Sequence, residues 1–258
     1  MGIVNVTPDS FSDGGRFHAP QAALAQARKL AAEGADIVDV GAESTRPGHT
    51  PLSAEEEWAR LEPMLAALVA DCGVPVSIDT YKAATARRAL RAGVALVNDI
   101  WGLQRDPDMA PAIAEAGAGV VVMHNRESVD ADLDIVSDML RFFERSLALA
   151  EAAGVARNRI VLDPGVGFGK TREQDFAALR GVPKLLRLGL PVLIGVSRKR
   201  LFGALLGAEV DARLIATIAA NLIAALEGAH VFRVHDAAEH KAAFAVLETL
   251  KPRSETGR

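Results

Sequence analysis

The stretch that decides the fold reads Ile160-Val161-Leu162-Asp163-Pro164-Gly165-Val166-Gly167-Phe168-Gly169-Lys170-Thr171. It opens with an apolar, largely β-branched run typical of a buried strand, and this strand ends on a carboxylate before a glycine-rich turn. The turn resembles the second half of a phosphate-binding P-loop, but that motif needs its first glycine where this chain has Pro164. Because proline has no N–H to offer a phosphate, the turn is not a P-loop. We expect Asp163 to be the functional group and Lys170-Thr171 to begin a helix.

The same order of strand, turn and helix repeats along the whole chain of 258 residues. Eight such repeats, with each strand apolar on both faces, favour a single (β/α)₈ TIM barrel with its active site at the carboxyl ends of the strands. A doubly wound sheet is the alternative, but its G-x-G-x-x-G fingerprint is absent after the first strand. The predicted strands span 2–6, 36–40, 76–78, 95–97, 120–123, 160–162, 192–194 and 231–234. The predicted helices span 21–33, a segment opened by the capping box of Ser53 and Glu56, 82–92, 107–116, 133–153, 173–180, 199–206, 211–227 and 237–250.

Net charge, cysteine content and the length of the apolar runs limit the functions and locations that we expect. The net charge is -4, from 29 basic and 33 acidic residues, which is no signature for nucleic acid or an anionic membrane. Cys72 is the only cysteine, so we expect no disulfide framework and a reducing, cytoplasmic location. No apolar run approaches ~18 residues, so no membrane span is predicted. We expect one barrel domain over residues 1–250 and a disordered polar tail over 251–258.

Polar side chains follow every predicted strand. A single strand-end Asp or Asn can merely cap the next helix. The complete set, however, mixes carboxylates, amides and cations around one mouth, which is where such barrels build their active sites. The set comprises Asn5, Thr7, Asp39, Glu43, Ser44, Thr45, Arg46, Asp79, Asn98, Asp99, His124, Asp163, Ser197, Arg198, Lys199, Arg233 and His235.

These polar residues divide by charge. Asp79, Asn98 and Asp163 are acceptors, which suit a flat, donor-rich heterocycle such as an aminopyrimidine edge. Asn5 offers a neutral oxygen to a hard cation such as Mg²⁺. The cationic and donor half suits a phosphate and comprises Arg46, Arg198, Lys199, Arg233 and His235. We therefore expect a site for a nitrogen heterocycle joined to a phosphate or diphosphate.

Two longer stretches resemble the signature loops of the dihydropteroate synthase family. They are Asn5-Val6-Thr7-Pro8-Asp9-Ser10-Phe11-Ser12-Asp13-Gly14-Gly15 and Gly41-Ala42-Glu43-Ser44-Thr45-Arg46-Pro47-Gly48. Shorter motifs follow in that family's order, and the resemblance covers essentially the whole chain. These motifs are Ser77-Ile78-Asp79-Thr80, Asn98-Asp99-Ile100, Met123-His124, the opening stretch from Asp163, Ser197-Arg198-Lys199 and Arg233-Val234-His235-Asp236.

The resemblance implies a transferase of folate biosynthesis that joins a dihydropterin methyl diphosphate to p-aminobenzoate, releasing diphosphate and giving 7,8-dihydropteroate. It also implies a homodimer that uses Mg²⁺ and is inhibited by sulfonamides. The implied pterin ligands are Asp79, Asn98, Asp163 and Lys199; the diphosphate ligands are Thr45, Arg233 and His235; the p-aminobenzoate ligands are Ser44, Arg46, Pro47, Phe168 and Ser197; and the magnesium ligand is Asn5. The residues implied to act in catalysis are Asp79, Asp163, Lys199, Arg233 and His235.

One position departs from the resemblance. Asp175 stands where the family often has asparagine, and we expect it to face solvent because it lies beyond the glycine turn. Two related functions remain alternatives: a pterin-binding barrel that transfers a methyl group from a reduced folate, and a non-catalytic paralogue that only binds pterin.

Two metal motifs are decoys. Asp130, Asp132 and Asp134 have the spacing that opens a calcium loop, but Ile135 and Arg141 stand where that loop needs glycine and glutamate. A metal-dependent barrel hydrolase is disfavoured as well, because the first strand ends in Asn-x-Thr rather than His-x-His.

Overall fold

The structure is a computed structural model that describes residues 1–6, 15–43, 50–207 and 209–250, without the side chains of 15–19 and 211. Its strands are β1 (Gly2–Asn5), β2 (Val38–Gly41), β3 (Val76–Asp79), β4 (Leu96–Asp99), β5 (Gly119–Met123), β6 (Ile160–Asp163), β7 (Leu193–Ile194) and β8 (Val231–Phe232). Its α-helices are α1 (Gly15–Ala32), α2 (Ala54–Asp71), α3 (Ala83–Arg91), α4 (Met109–Ala116), α5 (Ile135–Ala153), α6 (Arg172–Arg180), α7 (Val182–Leu186), α8 (Arg200–Leu206), α9 (Leu214–Leu226) and α10 (Ala237–Leu250).

The strands form a closed parallel barrel. Strands β1 to β6 pair in sequence order, and β7 pairs with β8. Two single bridges join these sheets, Leu162 with Val192 and Gly2 with Val234. The second junction is reinforced by the Ile3 N–H, which donates to the Val234 carbonyl at 3.0 Å. The predicted (β/α)₈ fold is confirmed.

Side chains on each strand alternate between the helix layer and the inside of the barrel. The lower interior is filled by an apolar cluster of Met1, Val121 and Leu193, with Ile37, Leu96, Val161 and Val231 packed against it. Ile37, Leu96, Val161 and Val231 are each followed, two residues later along the chain, by a polar residue whose side chain also faces the inside of the barrel. These residues are Asp39, Asn98, Asp163 and Arg233, and Asp79 lies in register with Asn98. The apolar cluster, which we call the apolar plug, therefore lies directly beneath these five polar residues, which we call the polar layer.

The outward strand face packs on the helices. Val38, Val40, Ile78 and Leu162 are fully buried there, within one core cluster that also contains helix residues such as Leu61. Burial of branched aliphatic side chains on this scale is the main stabilising contribution to the barrel. The polar layer thus stands on a rigid scaffold.

The helix boundaries differ from the sequence-based prediction in a few places. α1 begins at Gly15 rather than at 21, and α9 begins at Leu214 after a 3₁₀ turn at Val210–Arg213. The sequence-based prediction missed the short helix α7, because its Gly-Val-Pro start is typical of a loop. This helix packs against the protein through its buried residues Val182 and Leu185. The capping box at Ser53 and Glu56 is confirmed. In the described part of the chain, no helix combines the length and apolar character needed to cross a bilayer.

Candidate functional site

Arg233 joins two carboxylates at the centre of the barrel mouth. Its Nε donates to Asp39 Oδ2 at 2.6 Å, and its Nη2 donates to Asp79 Oδ2 at 2.7 Å. Asn98 Nδ2 donates to the same Asp39 oxygen at 3.1 Å. The second oxygens, Asp39 Oδ1 and Asp79 Oδ1, are buried without a hydrogen-bond partner in the described residues. The polar layer therefore presents two unused acceptors.

Opposing effects set the charge of this layer. Burial raises the pKa of Asp79 to about 7, and Arg233 opposes that shift while Asp39 adds to it. At neutral pH, Asp79 can therefore exist in either form and can accept or donate a hydrogen bond. Burial alone would lower the pKa of Arg233, but Asp39 and Asp79 raise it above its usual value. The guanidinium therefore stays charged.

Asp163 and Lys199 bring opposite charges to the other side of the mouth. Asp163 Oδ1 accepts from the Gly165 N–H at 2.7 Å; burial raises the pKa of this carboxyl, with Lys199 as the main opposing charge. Lys199 Nζ donates to the Val166 carbonyl and lies 4.7 Å from the centre of the Phe168 ring. Burial lowers the pKa of Lys199 to about 8, although Asp163 acts to raise it. Lys199 is thus a cation that can lose its proton near neutral pH.

The glycine turn between β6 and α6 holds these groups in place. Gly165 has φ +64°, and a Cβ there would lie 1.8 Å from the His124 carbonyl oxygen, so only glycine fits. Lys170 is buried, and its Nζ donates to the carbonyls of Gly165 at 2.8 Å and Phe168 at 3.1 Å. Thr171 caps α6 by accepting from the Gln174 N–H at 3.1 Å. The expected helix start is confirmed, and Lys170 ties the turn together from beneath.

The expectation that Asp175 faces solvent is wrong. Asp175 is buried, and its Oδ1 accepts from the Gly167 N–H at 2.6 Å. Its position beyond the turn was misleading, because α6 folds back so that its first turns lie against the glycine turn.

Ser197 and His235 form a pair at the rim. Ser197 Oγ lies 2.9 Å from His235 Nδ1 and also accepts from the His235 N–H at 3.2 Å. Arg198, expected among the cations of the site, bonds through Nε to Asp236 at 3.0 Å. Asn5 is exposed at the end of β1. Ser197, His235 and Asn5 are therefore near the carboxyl ends of β7, β8 and β1.

Two residues expected at the mouth lie outside it, because their strand positions face the helices. His124 is fully buried, with Nε2 3.1 Å from Asp138 Oδ2 and its ring edge-on to Phe142. Burial lowers the pKa of His124 to about 3, so it is neutral. Asp99 accepts from the N–H groups of Trp101 and Leu103, and thereby shapes its own loop.

Asp39 is the residue that sequence reasoning undervalued, since it appeared in the polar set but received no role. It is fully buried and accepts from both Arg233 and Asn98. The sequence feature that could have identified it is the alternation of side chains along β2, which places Asp39 on the same inner face as Ile37, two residues earlier.

The second signature loop is described only up to Glu43. Glu43 is buried, its Oε1 accepts from the Tyr81 hydroxyl at 2.9 Å, and Lys82 pairs with its other oxygen. The expected ligands beyond it lie outside the described residues, as does Thr7; these ligands are Ser44, Thr45, Arg46 and Pro47.

Among the described residues, no group of three His, Cys, Asp or Glu side chains could hold a metal ion. The amide of Asn5 offers a neutral oxygen, a donor that suits an ion such as Mg²⁺ that takes its remaining ligands from substrate phosphates and water.

Comparison with known proteins agrees with this geometry. A family model described as pterin binding enzyme matches residues 1–235. A type-2 dihydropteroate synthase from Escherichia coli is 47% identical over 97% of this chain and 95% of its own length.

Two solved structures are similar throughout. Dihydropteroate synthase from Clostridium difficile, determined in the presence of pteroic acid, superimposes with a TM-score of 0.95 at 44% identity, covering 98% of this chain and 96% of its own. The Xanthomonas albilineans enzyme with 4-aminobenzoic acid gives 0.93 at 43% identity, covering 98% and 93%. The chain therefore belongs to the dihydropteroate synthase family of pterin-binding enzymes.

Proposed function

We propose that this chain condenses (7,8-dihydropterin-6-yl)methyl diphosphate with p-aminobenzoate to give 7,8-dihydropteroate and diphosphate. Membership of the family supports the reaction. The relatives determined with pteroic acid and with 4-aminobenzoic acid support the two substrate classes. The observation that carries the proposal is the inner polar layer, in which Asp39 and Asp79 each keep one buried acceptor oxygen unused.

The pterin lies on this polar layer in the proposed complex. Its aminopyrimidine edge offers N–H donors, and buried acceptors are stabilised when such donors reach them. Asp79, Asn98 and Asp163 supply the acceptors, and Lys199 lies beside the ring. Because the pterin replaces water above an apolar plug, each hydrogen bond acts in a medium of low dielectric constant and is correspondingly strong.

The diphosphate binds on the side of β8 and β1. Arg233 donates to carboxylates from Nε and Nη2, which leaves Nη1 for a diphosphate oxygen. In the proposed complex, His235 and Thr45 complete this end, and Asn5 is the residue that would hold Mg²⁺. When bound, Mg²⁺ would offset the negative charge that develops on the leaving diphosphate.

p-Aminobenzoate enters from the outer rim. Phe168 supplies an apolar wall and Ser197 a hydroxyl, and Ser44, Arg46 and Pro47 complete this side. Sulfonamides, which have the same outline as p-aminobenzoate, compete for this position.

The chemistry needs no side-chain nucleophile. The bond from the pterin methylene to the diphosphate oxygen breaks, and its electron pair leaves with the diphosphate. Arg233 and His235 stabilise that departing charge, while the carboxylates of Asp79 and Asp163 stabilise the methylene cation left behind. Lys199 and Arg233 act against the burial that raises the pKa of Asp163, which favours its charged form. The aniline nitrogen then forms the new C–N bond and releases its proton to solvent.

The test is product formation from dihydropterin diphosphate, p-aminobenzoate and Mg²⁺, followed as diphosphate release and by mass spectrometry of dihydropteroate. We expect turnover by the wild type, none by Asp163→Ala, and wild-type turnover by the exposed control Asp132→Ala. Folded wild-type protein that binds pterin without releasing diphosphate would establish the non-catalytic alternative. Methyl transfer from a reduced folate would establish the other alternative.

A homodimer is part of the same proposal. α9 carries Ile215, Ile223 and Leu226 at 81%, 62% and 60% exposure, with spacing that places them on one helix face. On the neighbouring α10, Val246 and Leu250 are 59% and 75% exposed. Exposed apolar residues grouped in this way are typical of subunit interfaces. Sedimentation velocity should give a dimer for the wild type and a monomer for Ile223→Glu; a monomeric wild type would refute this part.

A further inference from the structure

Asp175 is the fourth residue of α6, and its carboxylate points back to the glycine turn. Its Oδ1 accepts from the Gly167 N–H at 2.6 Å, and the residue is only 6% exposed. Its own N–H donates to the Thr171 carbonyl at 2.9 Å, so a capped helix fixes the backbone that carries it. A carboxylate is costly to bury without a donor. Asp175 is therefore committed to this contact.

Gly167 is the surface on which the Lys199 side chain lies. It has φ +85°, and a Cβ on it would come 3.4 Å from Lys199 Cδ. The residue before it, Val166, accepts from Lys199 Nζ through its carbonyl, and the ring of Phe168 after it lies 4.7 Å from the same nitrogen. Three consecutive residues form the cradle of Lys199, and Asp175 holds the middle one.

Charge links the same groups. Burial lowers the pKa of Lys199 to about 8; Asp163 on β6, Asp175 on α6 and Asp79 on β3 act to raise it, and Arg233 after β8 acts to lower it. Lys170, under the turn, is a second cation that faces both Asp175 and Lys199. Burial raises the pKa of Asp175 itself, opposed by the Gly167 N–H and the two lysines. Ionised Asp175 therefore favours protonated Lys199.

We propose that Asp175 is a positioning residue for the reaction: its hydrogen bond to Gly167 fixes the cradle of Lys199, and its negative charge keeps Lys199 protonated beside the pterin. This inference rests on the proposed function, because that function places Lys199 at the pterin. The two contributions are separable, since one needs only an acceptor oxygen and the other needs the charge.

Two substitutions separate them. Asp175→Asn keeps an oxygen that can accept from Gly167 but removes the charge, whereas Asp175→Ala removes both. Glu173→Gln is the matched control, because it removes the same charge from the same helix at an exposed side chain. We expect kcat/KM for the pterin diphosphate to fall about tenfold or more in Asp175→Ala, as catalytic groups lose alignment. Asp175→Asn should retain more activity but move the alkaline limb of the pH profile to lower pH, and Glu173→Gln should match the wild type.

The decisive readout is the titration of Lys199 itself, followed by the ¹³Cε resonance of labelled lysine and assigned with Lys199→Arg. We expect it to titrate at lower pH in Asp175→Asn than in the wild type and Glu173→Gln. Unchanged titration would overturn the charge effect. Activity in Asp175→Ala that falls only in proportion to the unfolded fraction would overturn the positioning role. Wild-type protein without dihydropteroate synthesis would refute the proposed function instead, and the titration would still decide the role of Asp175.

Discussion

Replacing Arg233 with methionine tests the central network of the barrel mouth. Arg233 donates to Asp39 at 2.6 Å and to Asp79 at 2.7 Å, and both carboxylates are almost fully buried. Methionine fills a similar volume but leaves these carboxylates without their cation. Removing one partner of a buried ion pair destabilises a protein by about 3–5 kcal/mol. In a chain of this size about 1 kcal/mol shifts Tm by about 2–4 °C, so we expect a decrease of about 6–20 °C at pH 8.

The same variant should depend on pH in a defined direction. Burial raises the pKa of Asp79 from its ordinary value of 3.8 to about 7 in the folded protein, so between these two pH values the folded state binds more protons than the unfolded state. Stability contributed by Asp79 therefore falls as pH rises from the unfolded pKa through the folded one. Loss of Arg233 removes the charge that opposes this shift in pKa. The decrease in Tm of Arg233→Met relative to the wild type should therefore be larger at pH 8 than at pH 5.5.

Thermal unfolding monitored by circular dichroism at the two pH values measures both effects. Arg28→Met is the control, because its ion pair with Asp71 is exposed on both sides and such pairs contribute about 0–1 kcal/mol. If Arg233→Met unfolds within about 2 °C of the wild type at pH 8, the carboxylates do not depend on Arg233, and the reasoning from the buried network fails.

Two further predictions concern the glycine turn. Gly165→Ala should destabilise the fold by about 2–5 kcal/mol, because its Cβ would overlap the His124 carbonyl at a left-handed φ. Gly73 also has a left-handed φ, but no atom lies near its Cβ position, so Gly73→Ala should lose only about 1–2 kcal/mol. Equal losses of stability for the two variants in chemical denaturation would contradict this reasoning. Lys170→Met should lower stability by about 1–3 kcal/mol. It leaves the Phe168 carbonyl without its lysine donor and leaves the Gly165 carbonyl with only the Phe168 N–H. A denaturation midpoint equal to that of the wild type would show that water replaces the ammonium.

The sequence was sufficient for the barrel because its strands are continuous apolar runs separated by helical periodicity. It was less informative for β7 and β8, which pair over only two residues each. The division at residue 250 and the cytoplasmic location stay predictions, and the tail from 251 lies outside the described residues.

The sequence predicted which residues belong to the site better than it predicted which residues contact one another. Strand ends identified Asp79, Asn98 and Asp163, but the alternation that separates Asn98 from Asp99 was not applied. The pairing of Arg233 with Asp39 joins residues 194 positions apart, which no local pattern encodes. Asp175 was misjudged for a different reason: its partner Gly167 is near in the chain but belongs to a turn and not to the helix of Asp175.

The most direct test of the central claim compares two heterocycles that differ at one substituent. 6-Hydroxymethylpterin carries the 2-amino donor that the inner carboxylates are proposed to bind, whereas 6-hydroxymethyllumazine carries a carbonyl acceptor there. A site built to bond a donor rejects the analogue that lacks it, because its own polar groups are left unpaired. Calorimetric titration should give the pterin an affinity at least about a hundredfold higher than that of the lumazine, whereas equal affinities would contradict pterin recognition by the carboxylate layer.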